Sequence, residues 1–196
     1  MRLRRLPERL CVESKPLPSA RTSPVAVPPA NPRVLGIDTA LRATGAGIVD
    51  FGAQPPRALV FDVFRTRADM PLSACLMSLE SRLAAMIREW TPAAAAIESV
   101  FFRHNPQTAL LLGHARGIAI GVCARAGIPV YAYAPRRVKQ AVVGFGGAAK
   151  QQVQHMVQSM LGLTVKPPED AADALALAIC HWHTMRRPLN VEIEPL

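Results

Sequence analysis

The sequence predicts an α/β domain in which helices cover a mixed sheet, and two patterns support this prediction. Three short β segments come first, at residues 33–38, 44–50 and 57–65, each rich in Val, Ile, Phe or Leu and separated by Gly or Pro. Helices and strands then alternate along the chain, which is typical of layered α/β folds. With 196 residues, the chain is long enough for one domain with a substantial core.

The alternating half of the chain is defined by the spacing of its apolar residues. Between residues 71 and 90 they recur every three or four positions, which indicates an amphipathic helix. Residues 93–99 and 128–133 predict two buried strands, separated by a long apolar helix over 106–126. Two further helices are predicted over about 148–161 and 168–185.

Positive charge is concentrated near the N-terminus. The formal net charge of the chain is +9, and residues 1–33 contain seven Lys and Arg against two Glu. A basic chain favours a polyanionic partner such as nucleic acid, because Lys and Arg displace counterions from a phosphate backbone. Residues 1–32 also contain seven prolines and no apolar periodicity. We expect a disordered basic leader there, a folded domain over 33–185 and a flexible tail over 186–196.

The cysteines and histidines form no metal-binding motif. The four cysteines are far apart, so neither a zinc site nor a disulfide framework is predicted, and reduced thiols in the cytoplasm are expected. His181 and His183 lie two apart on a predicted helix and point in different directions, so we expect surface or core roles for them.

The apolar helix predicted at 106–126 carries glycines every four residues on one face, at Gly113, Gly117 and Gly121. Such a face lets another helix approach closely, and both core packing and a subunit interface are compatible with it. His114, Arg116 and Arg125 interrupt the apolar run, so no membrane span is predicted.

Four carboxylates occur where an α/β fold can bring them together. Asp38 ends the first predicted strand, Glu98 ends the fourth, and Asp170 and Asp173 share one face of the last helix. Singly, each has an ordinary structural explanation as a turn former, a solvated strand end or a partner of the helix dipole. As a converging set they would repel one another unless cations lay between them, which favours Mg²⁺, an ion that prefers oxygen ligands.

Several motifs extend this pattern in a consistent order between about residues 34 and 183. They are AIESVFF at 96–102, AYAPRRVKQ at 132–140, GFGGAAK at 144–150, QVQHMV at 152–157 and DAADALA at 170–176. With the order of the acids, they make the chain resemble the RuvC-type crossover junction endodeoxyribonucleases, which are Holliday junction resolvases. The resemblance implies a ribonuclease H-like fold, with a mixed five-stranded sheet flanked by helices.

The resemblance also implies an activity and its residues. The family resolves Holliday junctions by symmetric nicking of opposing strands, leaving 5′-phosphate ends, with two Mg²⁺ ions per site or Mn²⁺ in their place. One ion would activate a water and the other would stabilise the leaving 3′ oxygen. The metal-binding catalytic acids fall on Asp38, Glu98, Asp170 and Asp173. Basic catalytic residues fall on Lys139 and Lys150.

DNA contacts are implied for the same lysines, for two arginines of the basic motif and for one aromatic residue. Arg136, Arg137 and Lys139 open a predicted helix after a proline, and Lys150 follows a Gly-rich loop that can approach a phosphate. Phe101 is expected to stack on a base at the junction.

The resemblance also implies partners and a cellular role. It implies a homodimer on a four-way junction, a RuvA/RuvB-like branch-migration helicase complex and a cytoplasmic role in recombination and repair.

The chain departs from the family next to the first acid, where it has Thr39-Ala40 and the family usually has Pro-Gly. The segment at 44–47 is expected to form a tight turn before the second strand. An actin-like or sugar-kinase ATPase could use the Gly-Ile-Asp motif at 36–38, but it requires a longer chain and a second phosphate loop, and neither is found. A catalytically silent junction-binding module is the other alternative, and retention of all four acids argues against it.

Overall fold

The computed structural model describes residues 31–99, 106–186 and 194–196. Its elements, in chain order, are β1 (Arg33–Asp38), β2 (Ala43–Asp50), β3 (Arg57–Arg65), α1 (Leu72–Trp90), β4 (Ala94–Glu98), α2 (Pro106–Arg125), β5 (Val130–Tyr133), α3 (Pro135–Val143), α4 (Lys150–Met160) and α5 (Glu169–Met185). The predicted order of strands and helices is confirmed, with boundaries that agree to within two residues. Within the ranges described, no helix combines the length and apolar character needed to cross a bilayer.

The strands form one mixed five-stranded sheet in the order β3-β2-β1-β4-β5. The first three strands are an antiparallel meander, whereas β1, β4 and β5 run parallel to one another. The carboxyl ends of β1, β4 and β5 therefore lie at the same edge of the sheet. Asp38 and Glu98 are the last residues of β1 and β4, so the topology places both acids at this edge.

The turn between β1 and β2 differs from the prediction. Residues 44–47 are not a turn but part of β2, where Gly45 pairs with Asp38 in the antiparallel register. The chain reverses before them, and the Thr44 side chain holds the reversal by donating to the main-chain carbonyl of Ala40 and accepting from its N–H. Gly45 and Gly47 therefore allow helix α5 to pack closely on β2, and they do not form a tight turn.

Each face of the sheet carries its own hydrophobic core, as the alternation of side chains along a strand requires. On one face, helices α1 and α2 pack against a cluster that includes Leu35 and Ile37. On the other face, α3, α4 and α5 pack against a cluster that includes Val34 and Tyr133. The sheet is therefore covered on both sides, and the charged residues of its central strands β1 and β4 lie at the strand ends.

Helix α5 lies unusually close to β1 and β2. A Cβ atom placed on Gly36 would lie 1.7 Å from the carbonyl oxygen of Ala174, and one placed on Gly45 would lie 1.9 Å from the carbonyl oxygen of Asp170. Only glycine allows the helix backbone to approach a strand this closely. The N-terminal half of α5, which carries Asp170 and Asp173, is therefore held against the sheet edge where β1 ends.

The substitution Gly36→Ala tests this contact. The added methyl group would meet a main-chain oxygen of α5, which cannot rotate away, so the helix must shift as a whole. We expect the free energy of unfolding to fall by about 3 kcal/mol or more, at the upper end of overpacking effects. Urea denaturation of both proteins measures the difference. A loss below about 1 kcal/mol would show that α5 is not fixed by this glycine.

Candidate active site

The structure brings all four predicted acids to one edge of the sheet. Asp38 pairs with Gly45 across the β1–β2 register, and the backbone of Asp170 lies directly over Gly45. Asp173 follows Asp170 on the same side of α5. Glu98 ends the neighbouring parallel strand, two residues after Ala96, which packs in the core on the α5 side. All four carboxylates are partly buried.

Burial and mutual repulsion dominate the electrostatics of this edge. Burial, together with the charges of Asp173, Glu98 and Asp170, raises the pKa of Asp38 to about 7, while Lys150 opposes the shift. Burial also raises the pKa of Asp173. The carboxylates are therefore near enough to disfavour one another's ionisation, and a cation between them would relieve this repulsion.

The donor set fits a hard divalent cation, although the side chains are not gathered into a coordination sphere. In the part of the chain that the structure describes, no three His, Cys, Asp or Glu side chains stand close enough together to hold a metal ion. The four acids nevertheless offer only oxygen ligands, as Mg²⁺ and Mn²⁺ prefer. The pKa values of Asp38 and Asp173 are raised, so a cation beside these two carboxylates would favour their ionised forms.

Of the two predicted catalytic lysines, Lys150 borders the acids and Lys139 lies within electrostatic reach of them. The Nζ atom of Lys150, the first residue of α4, lies 2.6 Å from Oε1 of Glu169 and 3.8 Å from Oδ2 of Asp173. Its hydrogen bond with Glu169 raises the pKa of Lys150 above its ordinary value. Lys139 on α3 lies further away but within electrostatic reach, since its charge lowers the pKa of Asp173 against the effect of burial.

Three charged residues next to the acids were missed by the sequence interpretation. The Nη2 atom of Arg65, the last residue of β3, lies 3.7 Å from Oδ2 of Asp170. Glu169 pairs with Lys150, and Arg116 of α2 donates a hydrogen bond to the main-chain carbonyl of Glu98. Arg65 could have been found, because an antiparallel meander returns the end of its third strand to the edge where the first strand ends.

The predicted DNA-contacting residues differ in where they point. Arg136 is exposed on α3. Arg137 is partly buried, with Nη2 3.3 Å from Oγ1 of Thr184 and its guanidinium 6.0 Å from the centre of the Tyr133 ring. Phe101 lies outside the residues that the structure describes, so its predicted stacking role stays a prediction.

The histidines have structural roles, as predicted. Nδ1 of His181 lies 2.8 Å from the hydroxyl of Tyr133 in the core, where burial lowers the pKa of His181 to about 4. His183 is partly buried, with Nδ1 3.2 Å from the carbonyl oxygen of Ala141. Neither ring belongs to the carboxylate site.

The comparison with known proteins agrees with this geometry. The family model described as crossover junction endodeoxyribonuclease RuvC matches residues 34–181. The chain belongs to the RuvC family. A RuvC protein of Halorhodospira halophila is 48% identical over 158 residues, covering 81% of this chain and 94% of the relative. One of Thermomicrobium roseum is 46% identical over 155 residues, covering 79% and 94%.

A solved RuvC structure supports the assignment of the fold. RuvC of Thermus thermophilus, in complex with a Holliday junction substrate, superposes with a TM-score of 0.76 at 35% identity, covering 84% of this chain and 99% of that one. The resemblance inferred from the sequence motifs is therefore confirmed. The mixed five-stranded sheet with helices on both faces is the ribonuclease H-like fold of the RuvC family.

The raised pKa of Asp38 predicts how stability depends on pH. In the unfolded chain an aspartate ionises near pH 4, whereas folded Asp38 keeps its proton until about pH 7. Between these values the folded state binds more protons, so the stability of the metal-free protein falls as pH rises. Asp38→Asn removes this penalty and should stabilise the metal-free protein at pH 8 by on the order of 2 to 4 kcal/mol.

Urea denaturation in EDTA at pH 4 and pH 8 measures this effect. The advantage of Asp38→Asn should be small at pH 4 and large at pH 8. Saturating Mg²⁺ should reduce or reverse it, because a ligand that binds the folded state stabilises it and the variant has lost a carboxylate for that ion. If the two proteins differed by the same free energy of unfolding at both pH values, the pKa of Asp38 in the folded protein would not be raised.

Proposed function

We propose that this protein is a Holliday junction resolvase, an endonuclease that hydrolyses phosphodiester bonds in opposing strands of a four-way DNA junction and leaves 5′-phosphate ends. The observation that carries the proposal is the convergence of Asp38, Glu98, Asp170 and Asp173 at one sheet edge beside Lys150, in a chain of the RuvC family. Supporting evidence from a relative is the complex of Thermus thermophilus RuvC with a Holliday junction substrate.

The four acids would hold two Mg²⁺ ions, with Mn²⁺ as a substitute. When bound, the metal supplies Lewis-acid stabilisation of the charge that develops on the phosphate during hydrolysis. The protein contributes the positions of the ligands. Asp170 and Asp173 are fixed by the contact of α5 with Gly45, and Asp38 is fixed by its pairing with the same glycine.

Lys150 is the side chain best placed to stabilise negative charge on the scissile phosphate. Its ammonium group already lies beside Asp173, and its hydrogen bond with Glu169 is at the surface, where ion pairs contribute little free energy. The ammonium can therefore exchange the Glu169 carboxylate for a phosphate oxygen at small cost. Lys139 adds a second positive charge within electrostatic reach of Asp173.

A homodimer would present two such sites to the two opposing strands of a nearly two-fold junction. Helix α2 offers the surface for it. Its buried residues, such as Ala115 and Ala119, face the core, whereas a Cβ atom added at Gly113, Gly117 or Gly121 would meet no atom within 4 Å. The glycine face is thus on the surface of the monomer, and a second copy could approach it closely.

The remaining parts of the proposal rest on family membership and composition. Arg136, Arg137 and Phe101 would contact the junction, and residues 1–32 and 186–196 would flank the nuclease domain as a basic leader and a tail. A RuvA/RuvB-like branch-migration complex would deliver the junction. We place the enzyme in the cytoplasm, where the buried cysteines Cys75, Cys123 and Cys180 would stay reduced.

Removal of one acid separates cleavage from binding. Asp173→Asn should lower the rate of junction cleavage by about 100-fold or more, because the charge that neutralises the metal is lost. Junction binding in Ca²⁺ should stay near that of the unmodified protein, since Lys and Arg supply it. Cleavage of a synthetic four-way junction, with linear duplex as the comparison substrate, measures the first effect. A gel-shift titration measures the second.

Asp62→Asn is the matched control, because Asp62 is an acid on β3 that pairs with Arg82 at 2.7 Å and takes no part in the site. It should cleave normally. Full cleavage by Asp173→Asn, or by the unmodified protein in EDTA, would contradict the proposed mechanism. Junction binding by the unmodified protein without cleavage under any divalent ion would instead identify a silent binding module.

Gly117→Ala tests the proposed dimer surface. In a monomer the change should stabilise α2 by about 1 kcal/mol, because alanine has the higher helix propensity and its Cβ meets no atom there. Across a close helix contact the same methyl group should weaken the dimer by roughly 1 to 3 kcal/mol. Sedimentation equilibrium gives the dimer constant and thermal melting gives the stability. A dimer as strong as before would place the interface on another surface.

A further inference from the structure

We propose that Arg116 is a positioning residue for the metal ligand Glu98. It would hold the end of β4 in place from helix α2, the helix that also carries the glycine face. This inference rests on the proposed function, because it assigns Arg116 a part in assembling the metal-binding acids. The contact of Arg116 is with the main-chain carbonyl of Glu98, so Arg116 acts through the backbone of that residue.

The contact is a hydrogen bond from Nη1 of Arg116 to the main-chain carbonyl oxygen of Glu98. Arg116 is partly buried in the middle of a largely apolar helix, whose other Lys or Arg residue is Arg125 in the last turn. A charged side chain in such a place requires a polar partner to offset its desolvation. Burial lowers the pKa of Arg116 and the charge of Glu98 raises it, so the guanidinium also lies within electrostatic reach of that acid.

The end of β4 needs such a contact because its pairing with β1 stops before Glu98, which still pairs with Tyr133 of β5. The register between β1 and β4 ends at the pair Ile37 and Ile97, so Glu98 lies one residue beyond it. On the other side, the N–H of Ser99 donates to the carbonyl oxygen of Tyr133 at 2.8 Å. Arg116 therefore holds the carbonyl of Glu98 at the point where β1 no longer pairs with the strand.

Two neighbouring polar atoms give no such support. Oγ of Ser99, next to Glu98, and Nδ1 of His114, two residues before Arg116, are buried and make no hydrogen bond among residues 31–99, 106–186 and 194–196.

The position of the Glu98 backbone sets where its carboxylate lies. A misplacement of about 1 Å is enough to reduce the effect of a catalytic group strongly. Groups that orient a metal ligand typically change metal affinity by about 10- to 100-fold when removed.

The chain contains a matched control at the opposite end of the sheet. Nη1 of Arg33, the first residue of β1, donates to the main-chain carbonyl oxygen of Trp90 at 3.0 Å. Arg33→Met removes the same type of contact between an arginine and a main-chain carbonyl, far from the carboxylates. Any general loss of stability caused by removing a partly buried arginine should appear in this variant as well.

The experiment compares Arg116→Met, Arg116→Lys and Arg33→Met with the unmodified protein. Calorimetric titration of the DNA-free protein with Mn²⁺ gives metal affinity independently of activity. The Mg²⁺ dependence of junction cleavage and the melting temperature in EDTA are measured alongside. For Arg116→Met we expect a dissociation constant for Mn²⁺ raised about 10- to 100-fold, and a similar rise in the Mg²⁺ concentration for half-maximal cleavage. Arg116→Lys keeps a donor and the charge, and should recover part of the loss.

Three results would overturn the inference. One is an unchanged Mn²⁺ affinity in Arg116→Met, and another is a loss of Mn²⁺ affinity in Arg33→Met as large as in Arg116→Met. The third, which decides the case if Arg116→Met does not fold, is a folded Arg116→Lys with unaltered Mn²⁺ affinity and Mg²⁺ dependence. Failure of the unmodified protein to cleave junctions would instead contradict the proposed function, so the two failures are distinguishable.

Discussion

The candidate site depends on one packing contact, the close approach of α5 to β1 and β2. At Gly36 and Gly45 the helix backbone occupies the space that a Cβ atom would need. A side chain at either position would push the helix away from the sheet and carry Asp170 and Asp173 away from Asp38. The alanines of α5, among them Ala171 and Ala174, are fully buried and complete the contact from the helix side. The spacing of the acids is thus set by backbone against backbone, with no flexible side chain between.

This arrangement works against the stability of the metal-free protein. Burial and the neighbouring acids hold the pKa of Asp38 near 7. Ionisation of this side chain at neutral pH therefore costs the folded state free energy. The two hydrophobic cores, one on each face of the sheet, must offset that penalty. Such a trade of stability for function is expected where a ligand provides the missing charge. The acids that weaken the fold are the same ones that are proposed to hold the cation.

Much of the fold and the acidic half of the site could be predicted from the sequence, because those signals are local or ordered along the chain. Apolar spacing located the strands and helices, and strand ends located Asp38 and Glu98. The glycines at 45 and 47 were misread as a turn, since the helix that requires them lies more than 120 residues away in sequence. Arg116 was missed for the same reason, because its partner, the Glu98 carbonyl, becomes a neighbour only when the sheet and helices are assembled. Arg65 was missed although the predicted meander already placed its strand end at the edge where β1 ends.

Helix α2 connects two requirements of a junction-cleaving enzyme in one rigid element. On one side it exposes glycines to solvent, the surface proposed for the second subunit, and on another it holds the strand end that carries Glu98. If Glu98 were held by a side chain from a loop, a displacement at the subunit surface would hardly reach it, because a mobile loop would take up the movement. A helix packed on the core does not take it up, since close-packed interiors transmit strain. Association of two subunits through the proposed surface would therefore act on the position of Glu98, the proposed metal ligand, in each of them.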